Sequence, residues 1–259
     1  MKSLTSLLLV FFCSAAFAQK SDQLAGKVYT FSGSPEFATM SGGQKIKTFF
    51  DGSGAVLSKH KMQLITLQKG GSMNYSRYKE EETFLIIKKG PVKVTLGDGK
   101  SAVIDTGSVV LILPGEEVIV QANNQRDVEF YQMEYVSKAP ANRERGKTAG
   151  PSFIMDWKDM VFKPTDKGGT RQLFDRKTTM LSRFDIHVTQ LNEGNKSHDP
   201  HQHTNEEIIL MMDGNAEMQI GTDHQKANPW DVVFLPSNVL HNLTNVGKGA
   251  CLYFAIQWN

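Results

Sequence analysis

Apolar residues in this chain come in short runs, many of them β-branched, that either alternate with polar residues or stand as solid blocks between Gly, Asn and Asp turns. No stretch sustains a 3.6-residue period, so helices are not expected to carry the fold. Residues 84–87 and 208–212 are solid apolar blocks, residues 109–114 and 232–236 are apolar segments closed by a proline, and residues 184–191 alternate. Many short strands with turn signals at close spacing predict an all-β chain built as a sandwich or jelly-roll barrel.

The same pattern occurs twice. Met-Gln-Leu-Ile-Thr-Leu-Gln-Lys-Gly at 62–70 parallels Ile-His-Val-Thr-Gln-Leu-Asn-Glu-Gly at 186–194, and each closing glycine is followed twenty residues later by another, Gly90 and Gly214. The proline-closed segments then follow at offsets of 24 and 22 residues, to Pro114 and Pro236. A repeat of this length predicts two tandem barrels. Their expected bounds are 19–138 and 152–259, joined by a linker at 139–151 that is poor in large apolar residues.

Composition narrows the field. With 29 Lys+Arg against 27 Asp+Glu and no basic run, there is no electrostatic footprint for nucleic acid. An apolar share of 40% excludes a disordered chain. Lys2, the apolar run 7–12 and Ala16-Phe17-Ala18 read as a secretory signal cleaved near Ala18, which predicts export to a periplasmic or extracellular site. That run is too short for a membrane span, which needs about 20 apolar residues. Cys13 lies inside the signal, and Phe12 before it is a poor match to a lipoprotein signal. Cys251 is then the single thiol of the mature chain, so no intramolecular disulfide is expected. Within its apolar run it reads as a buried, inert thiol.

Six of the seven histidines fall between residues 187 and 241, with His60 alone outside. His201 and His203 are two apart, so an extended strand presents both on one face, and Glu207 keeps that parity. His241 follows Pro236 by five residues at the start of another apolar segment. Three imidazoles and a carboxylate form a donor set suited to one divalent transition metal (Mn, Fe, Ni, Co, Cu or Zn) with positions left open for water or a small-molecule substrate. His198 is read as an exposed loop histidine, a substitute ligand or a proton shuttle, and His187 as a surface histidine or, if Ile186 and Val188 pack on the other face, a substrate or outer contact. Trp157, Trp230 and Trp258 read as core or interface aromatics.

The first copy lacks these donors. Ungapped alignment puts Arg77 on His201, Lys79 on His203 and Thr83 on Glu207, and aligning the prolines puts Ile119 on His241. Two cations, a hydroxyl and an alkyl group cannot cage a divalent ion, so the N-terminal barrel is expected to be metal-free. Arg77 and Lys79 are read as solvated or paired with Glu80, Glu81 or Glu82, the rival reading being an anion site. Glu82 is one residue out of the ligand register, and strand alternation sends it to the opposite face.

The order Gly194, His201, His203, Glu207, Gly214 resembles the first motif of the cupin family, which runs Gly, His-x-His, three or four residues, Glu, six residues, Gly. Pro236, His241 and Asn245 resemble its second motif, with Asp231 and Asn238 where that motif has glycines. Both replacements are turn residues tolerant of unusual backbone angles. The resemblance covers both halves and implies a bicupin with the four ligands on the inner wall of the second barrel. Among bicupins, the layout resembles the manganese-dependent ureidoglycine aminohydrolases, though that family orders its ligands differently. This implies an enzyme acting on a small polar metabolite, manganese slightly ahead of the other ions. The three-His, one-Glu set is also that of quercetin dioxygenase and the oxalate-active cupins, which implies oxygen chemistry as the rival. A protein that binds metal or sugar without turnover is the third reading, and a homo-oligomer is left open.

Overall fold

The computed structural model describes residues 23–40, 44–76 and 78–259. The segment read as an export signal, Cys13 within it, and Arg77 lie outside the described residues.

The fold is two tandem jelly-roll barrels of antiparallel sheets. In the first, a seven-stranded sheet runs in the order Phe153–Met155, Val109–Ile112, Glu82–Lys89, Val128–Ser137, Leu57–Leu67, Lys45–Gly52, Ala38–Thr39. The four strands Ser72–Asn74, Val118–Ala122, Val92–Leu96 and Ser101–Ile104 form its smaller sheet. In the second, the order is Lys27–Tyr29, Val232–Leu235, Glu206–Asp213, Cys251–Trp258, Phe184–Leu191, Gly168–Arg176, Lys163–Thr165. Its smaller sheet has three strands, Asp223–Ala227, Ala216–Ile220 and His241–Asn245. The counterpart of Ser72–Asn74 is reduced to isolated bridges, Lys196 to Thr244 and His201 to His241.

Each large sheet takes an outer strand from across the molecule. Lys27–Tyr29 precedes the first barrel in sequence yet pairs with Val232–Leu235 of the second. Phe153–Met155 follows the short helix Arg143–Ala149 and pairs with Val109–Ile112 of the first.

The solid apolar blocks arise because the large sheets are covered on both faces. In Glu82–Lys89, Phe84 and Ile86 join a core shared with Ile208 and Leu210 of the other barrel, while Leu85 and Ile87 fill their own lumen. In Glu206–Asp213, Ile208, Leu210 and Met212 face the shared core, and Ile209 and Met211 face the second lumen. Trp258 is fully buried in the shared core, with Trp157 and Trp230 packed partly buried against it. Gly70 and Gly194 occupy matching left-handed turns at φ 75° and 74°, which explains why the repeat keeps a glycine there.

The two replaced glycines of the second motif behave differently. Asn238 adopts φ 60°, as a residue in a glycine position must. Asp231 does not take such an angle, which corrects that expectation. Its carboxylate accepts from the Phe31 and Asn228 amides, and the neighbouring Trp230 takes the left-handed angle, at φ 73°.

Candidate metal centre

The second lumen opens as a cavity of about 580 Å³ lined in part by His187, Thr189, His198, His201, Glu207, His241 and Tyr253. Two distant stretches meet there through their backbones. The His201 amide donates to the His241 carbonyl at 3.1 Å and the His241 amide returns the bond to His201 at 2.9 Å. The Asn238 amide, turned by its left-handed φ, donates to the His203 carbonyl at 2.7 Å. Thus the two motif segments are pinned main chain to main chain before any side chain is considered.

The donor atoms of His201, His203 and His241 lie within 4.8 Å of one another. His203 Nδ1 faces the Asn205 carbonyl at 2.9 Å, and His241 Nδ1 faces the Val239 carbonyl at 2.8 Å. A carbonyl only accepts, so each Nδ1 carries a proton and each Nε2 is the ring nitrogen turned to the lumen. Both Nε2 atoms stand 3.4 Å from the same Glu207 oxygen, Oε2. Neither makes a hydrogen bond, and His201 Nδ1 is also buried without a partner. Burial alone would raise the Glu207 pKa, but His203 and His241 beside it reverse that and hold it at about 2. Glu207 in turn raises His203, against its burial. Burial, then the neighbouring imidazoles, lowers His201.

Three imidazoles whose donor atoms lie within 4.8 Å of one another, two of them with Nε2 3.4 Å from one carboxylate oxygen, are a donor set that suits a divalent transition metal. The residues present therefore fit such an ion.

His198 is exposed at the rim, its ring edge-on to His201 with centroids 3.9 Å apart. His187 is half-buried and lines the cavity, with Ile186 and Val188 turned to the shared core. In the first barrel, Lys79 is exposed. Ile119 stands in the smaller sheet, paired with Asn74. Cys251 is buried, and burial pushes its thiol up to about 11, as an inert core residue.

The first lumen holds something the sequence did not signal. Tyr75 Oη donates to Gln132 Oε1 at 2.6 Å, Gln132 Nε2 donates to Glu134 Oε1 at 2.5 Å, and Lys59 Nζ bonds Glu134 Oε2 at 2.9 Å and also Glu81. Gln132 and Glu134 stand two apart on the strand Val128–Ser137, but Tyr75, Lys59 and Glu81 come from elsewhere in the chain, so no single spacing joins the network. Aligning the final strands places Glu134 on Gln257 and Gln132 on Ala255.

Residues 187–257 match the family model described as a cupin domain. No curated protein matches the chain at a significant level. Among solved structures, oxalate decarboxylase from Lactobacillus farciminis in its formate complex aligns with TM-score 0.68 and 13% identity, over 91% of this chain and 87% of that one. The protein YlbA from E. coli aligns with TM-score 0.66 and 13% identity, over 96% and 98% of the two chains. Vicilin from hazelnut, Corylus avellana, aligns with TM-score 0.64 and 8% identity, over 90% and 85%. At such identities the likeness speaks for fold alone, and among the described residues no helix is long and apolar enough to cross a membrane. Residues 187–257 are therefore similar to a cupin domain, and the chain as a whole shares its fold with these structures.

Proposed function

We propose that His201, His203, Glu207 and His241 hold one divalent transition metal per chain, and that the protein is a metalloenzyme acting on a small polar metabolite by hydrolysis. The observation that carries this reading is the pair of orphaned Nε2 atoms of His203 and His241, both aimed at the ionised Glu207 inside an open cavity. Manganese stands slightly ahead of iron, nickel, zinc and copper through the resemblance to the ureidoglycine aminohydrolase bicupins. In this reading residues 19–138 and 152–259 are the two barrels apart from the exchanged strands Lys27–Tyr29 and Phe153–Met155, 139–151 is the linker, and the second barrel alone takes metal. Export through residues 1–18 belongs to the same proposal, supported by Lys2, the apolar run 7–12 and Ala16-Phe17-Ala18.

A bound divalent ion would polarise a carbonyl and lower the pKa of a water. The chain's own residues do the rest. Asn205 and Val239 carbonyls fix the His203 and His241 tautomers, and Glu207 stays ionised at neutral pH. His198 at the rim and His187 on the wall are the side chains placed to hold or move a proton for a bound molecule. Thr189 and Tyr253 line the same space and offer hydroxyls for orientation. Oxygen chemistry is the second reading, favoured by the three-imidazole, one-carboxylate donor set. Metal-stripped protein refilled with manganese and assayed on small amides and ureides under nitrogen distinguishes the two. Turnover without oxygen supports hydrolysis; turnover only in air moves the assignment to an oxygenase, and no turnover with any ion contradicts an enzyme.

A further inference from the structure

Glu206 sits beside Glu207 on one strand but points the opposite way, into the interface between the barrels, where it is 1% exposed. Two of the three hydrogen bonds to its carboxylate come from the other barrel. The Ala55 amide donates to Oε1 at 2.6 Å and the Val56 amide to Oε2 at 3.1 Å, while the Trp258 indole N–H reaches Oε2 at 3.3 Å. Gly54 makes room for this contact, since a Cβ there would stand 2.3 Å from Oε1. Charge-assisted bonds to backbone amides in a buried setting are short, directional and costly to lose.

The repeat supplies an internal control. Glu82 is the counterpart of Glu206 at the same 124-residue offset, and it reaches across the interface to the second barrel, accepting from Thr178 Oγ1 at 2.6 Å and the Met180 amide at 3.1 Å. Met180 and Val56 are separated by the same 124 residues. The molecule thus carries two reciprocal latches. The residue after Glu82 is Thr83, which ligates nothing, whereas the residue after Glu206 is Glu207.

We propose that the 54–56 loop of the N-terminal barrel, acting through Glu206, is a positioning element for the metal centre, so that the donor-free barrel sets the strand bearing Glu207. A strand residue cannot shift without turning its neighbour, because the two share a peptide plane and alternate faces. Freeing the Glu206 carboxylate releases the first turn of the strand that aims Glu207 between His203 and His241. This inference rests on the metal reading above.

Coupling of this kind is reciprocal: whatever factor the latch adds to metal affinity, bound metal must add to closure of the latch. Amide hydrogen exchange of the wild-type chain, with and without Zn²⁺, reads this directly. Exchange at Ala55 and Val56 should slow by about tenfold on zinc binding, the scale of an outer contact to a metal ligand. Exchange at Met180, in the matching latch, should change by less than about twofold. In a second arm, Glu206→Gln and Gly54→Ala should each weaken zinc about tenfold, while Glu82→Gln leaves zinc affinity within about twofold, even where all three lower Tm. If the chain takes no zinc, the metal reading and this one both fall. If it takes zinc but Ala55 and Val56 do not respond, or Met180 responds equally, the metal reading stands and the positioning role is overturned.

Discussion

At the same level of the two lumens, Thr83 stands opposite Glu134 in the first barrel, and Glu207 opposite Gln257 in the second. The first arrangement is closed on itself. Glu134 is neutralised by Lys59 and tied through Gln132 to Tyr75, so its charge and hydrogen bonds are spent inside the wall. The second arrangement is open, with Glu207 3.4 Å from two imidazole nitrogens that have no hydrogen-bond partner. Buried polar groups are almost always satisfied, and Glu134 meets that demand with a lysine while the imidazole nitrogens His203 Nε2 and His241 Nε2 of the second barrel have no hydrogen-bond partner in the protein.

The strongest way to break the comparison is to remove a donor. His241→Ala should weaken divalent-metal binding by at least about 100-fold, beyond the 10–100-fold typical of an outer contact. Ile119→His, at the matching place in the first barrel, should add no binding. Calorimetric titration of both variants checks the pair, and a second site gained by Ile119→His would show that the first lumen is nearer to competence than its network implies.

Removing the internal cation is the next test. Lys59→Met leaves Glu134 and Glu81 without their shared cation, at 7% and 15% side-chain exposure. Because Lys59 itself is 36% exposed, the loss is expected at about 1–2 kcal/mol of stability, below the 3–5 kcal/mol of a fully buried pair. Denaturant unfolding should record it with metal affinity unchanged.

An effect that is smaller at pH 7 and grows toward acid separates the halves at His60, whose counterpart by the repeat is Phe184. His60 is fully buried among Phe50, Phe234 and Trp258, with both ring nitrogens unpartnered, and burial holds its pKa at about 3 instead of 6.5. Between those values the unfolded chain binds a proton that the folded chain refuses. The neutral imidazole is therefore tolerated in full above pH 6.5, and stability is lost as pH falls from there toward 3, by up to about 1.4 kcal/mol per pH unit. His60→Phe should remove that slope and add about 1 kcal/mol at pH 7 by relieving two buried unsatisfied nitrogens. A melting series from pH 7 to 4 on both proteins decides it, and parallel curves would contradict the burial of a neutral ring.

Much of this could be read from the chain itself. The glycine-spaced repeat gave the two barrels because the left-handed turns at Gly70 and Gly194 admit few other residues. His201, His203, Glu207 and His241 stood out because strand alternation converts spacing into a shared face. The exchanged strands Lys27–Tyr29 and Phe153–Met155 did not, since three residues carry too little pattern and their pairing is decided by tertiary contact. The lysine-centred network was hidden because its members are joined only by the folded lumen. The Glu82 and Glu206 latches were within reach: the ungapped alignment already superposes them, and alternation places both away from the lumens.

Elemental analysis of the purified mature protein, with no metal added after cell growth, addresses the contrast between the barrels most directly. About one divalent transition-metal ion per chain is expected, lost on His203→Ala with both barrels still folded. Two ions per chain, or an ion retained by the His203→Ala protein, would contradict a single centre built on His201, His203, Glu207 and His241.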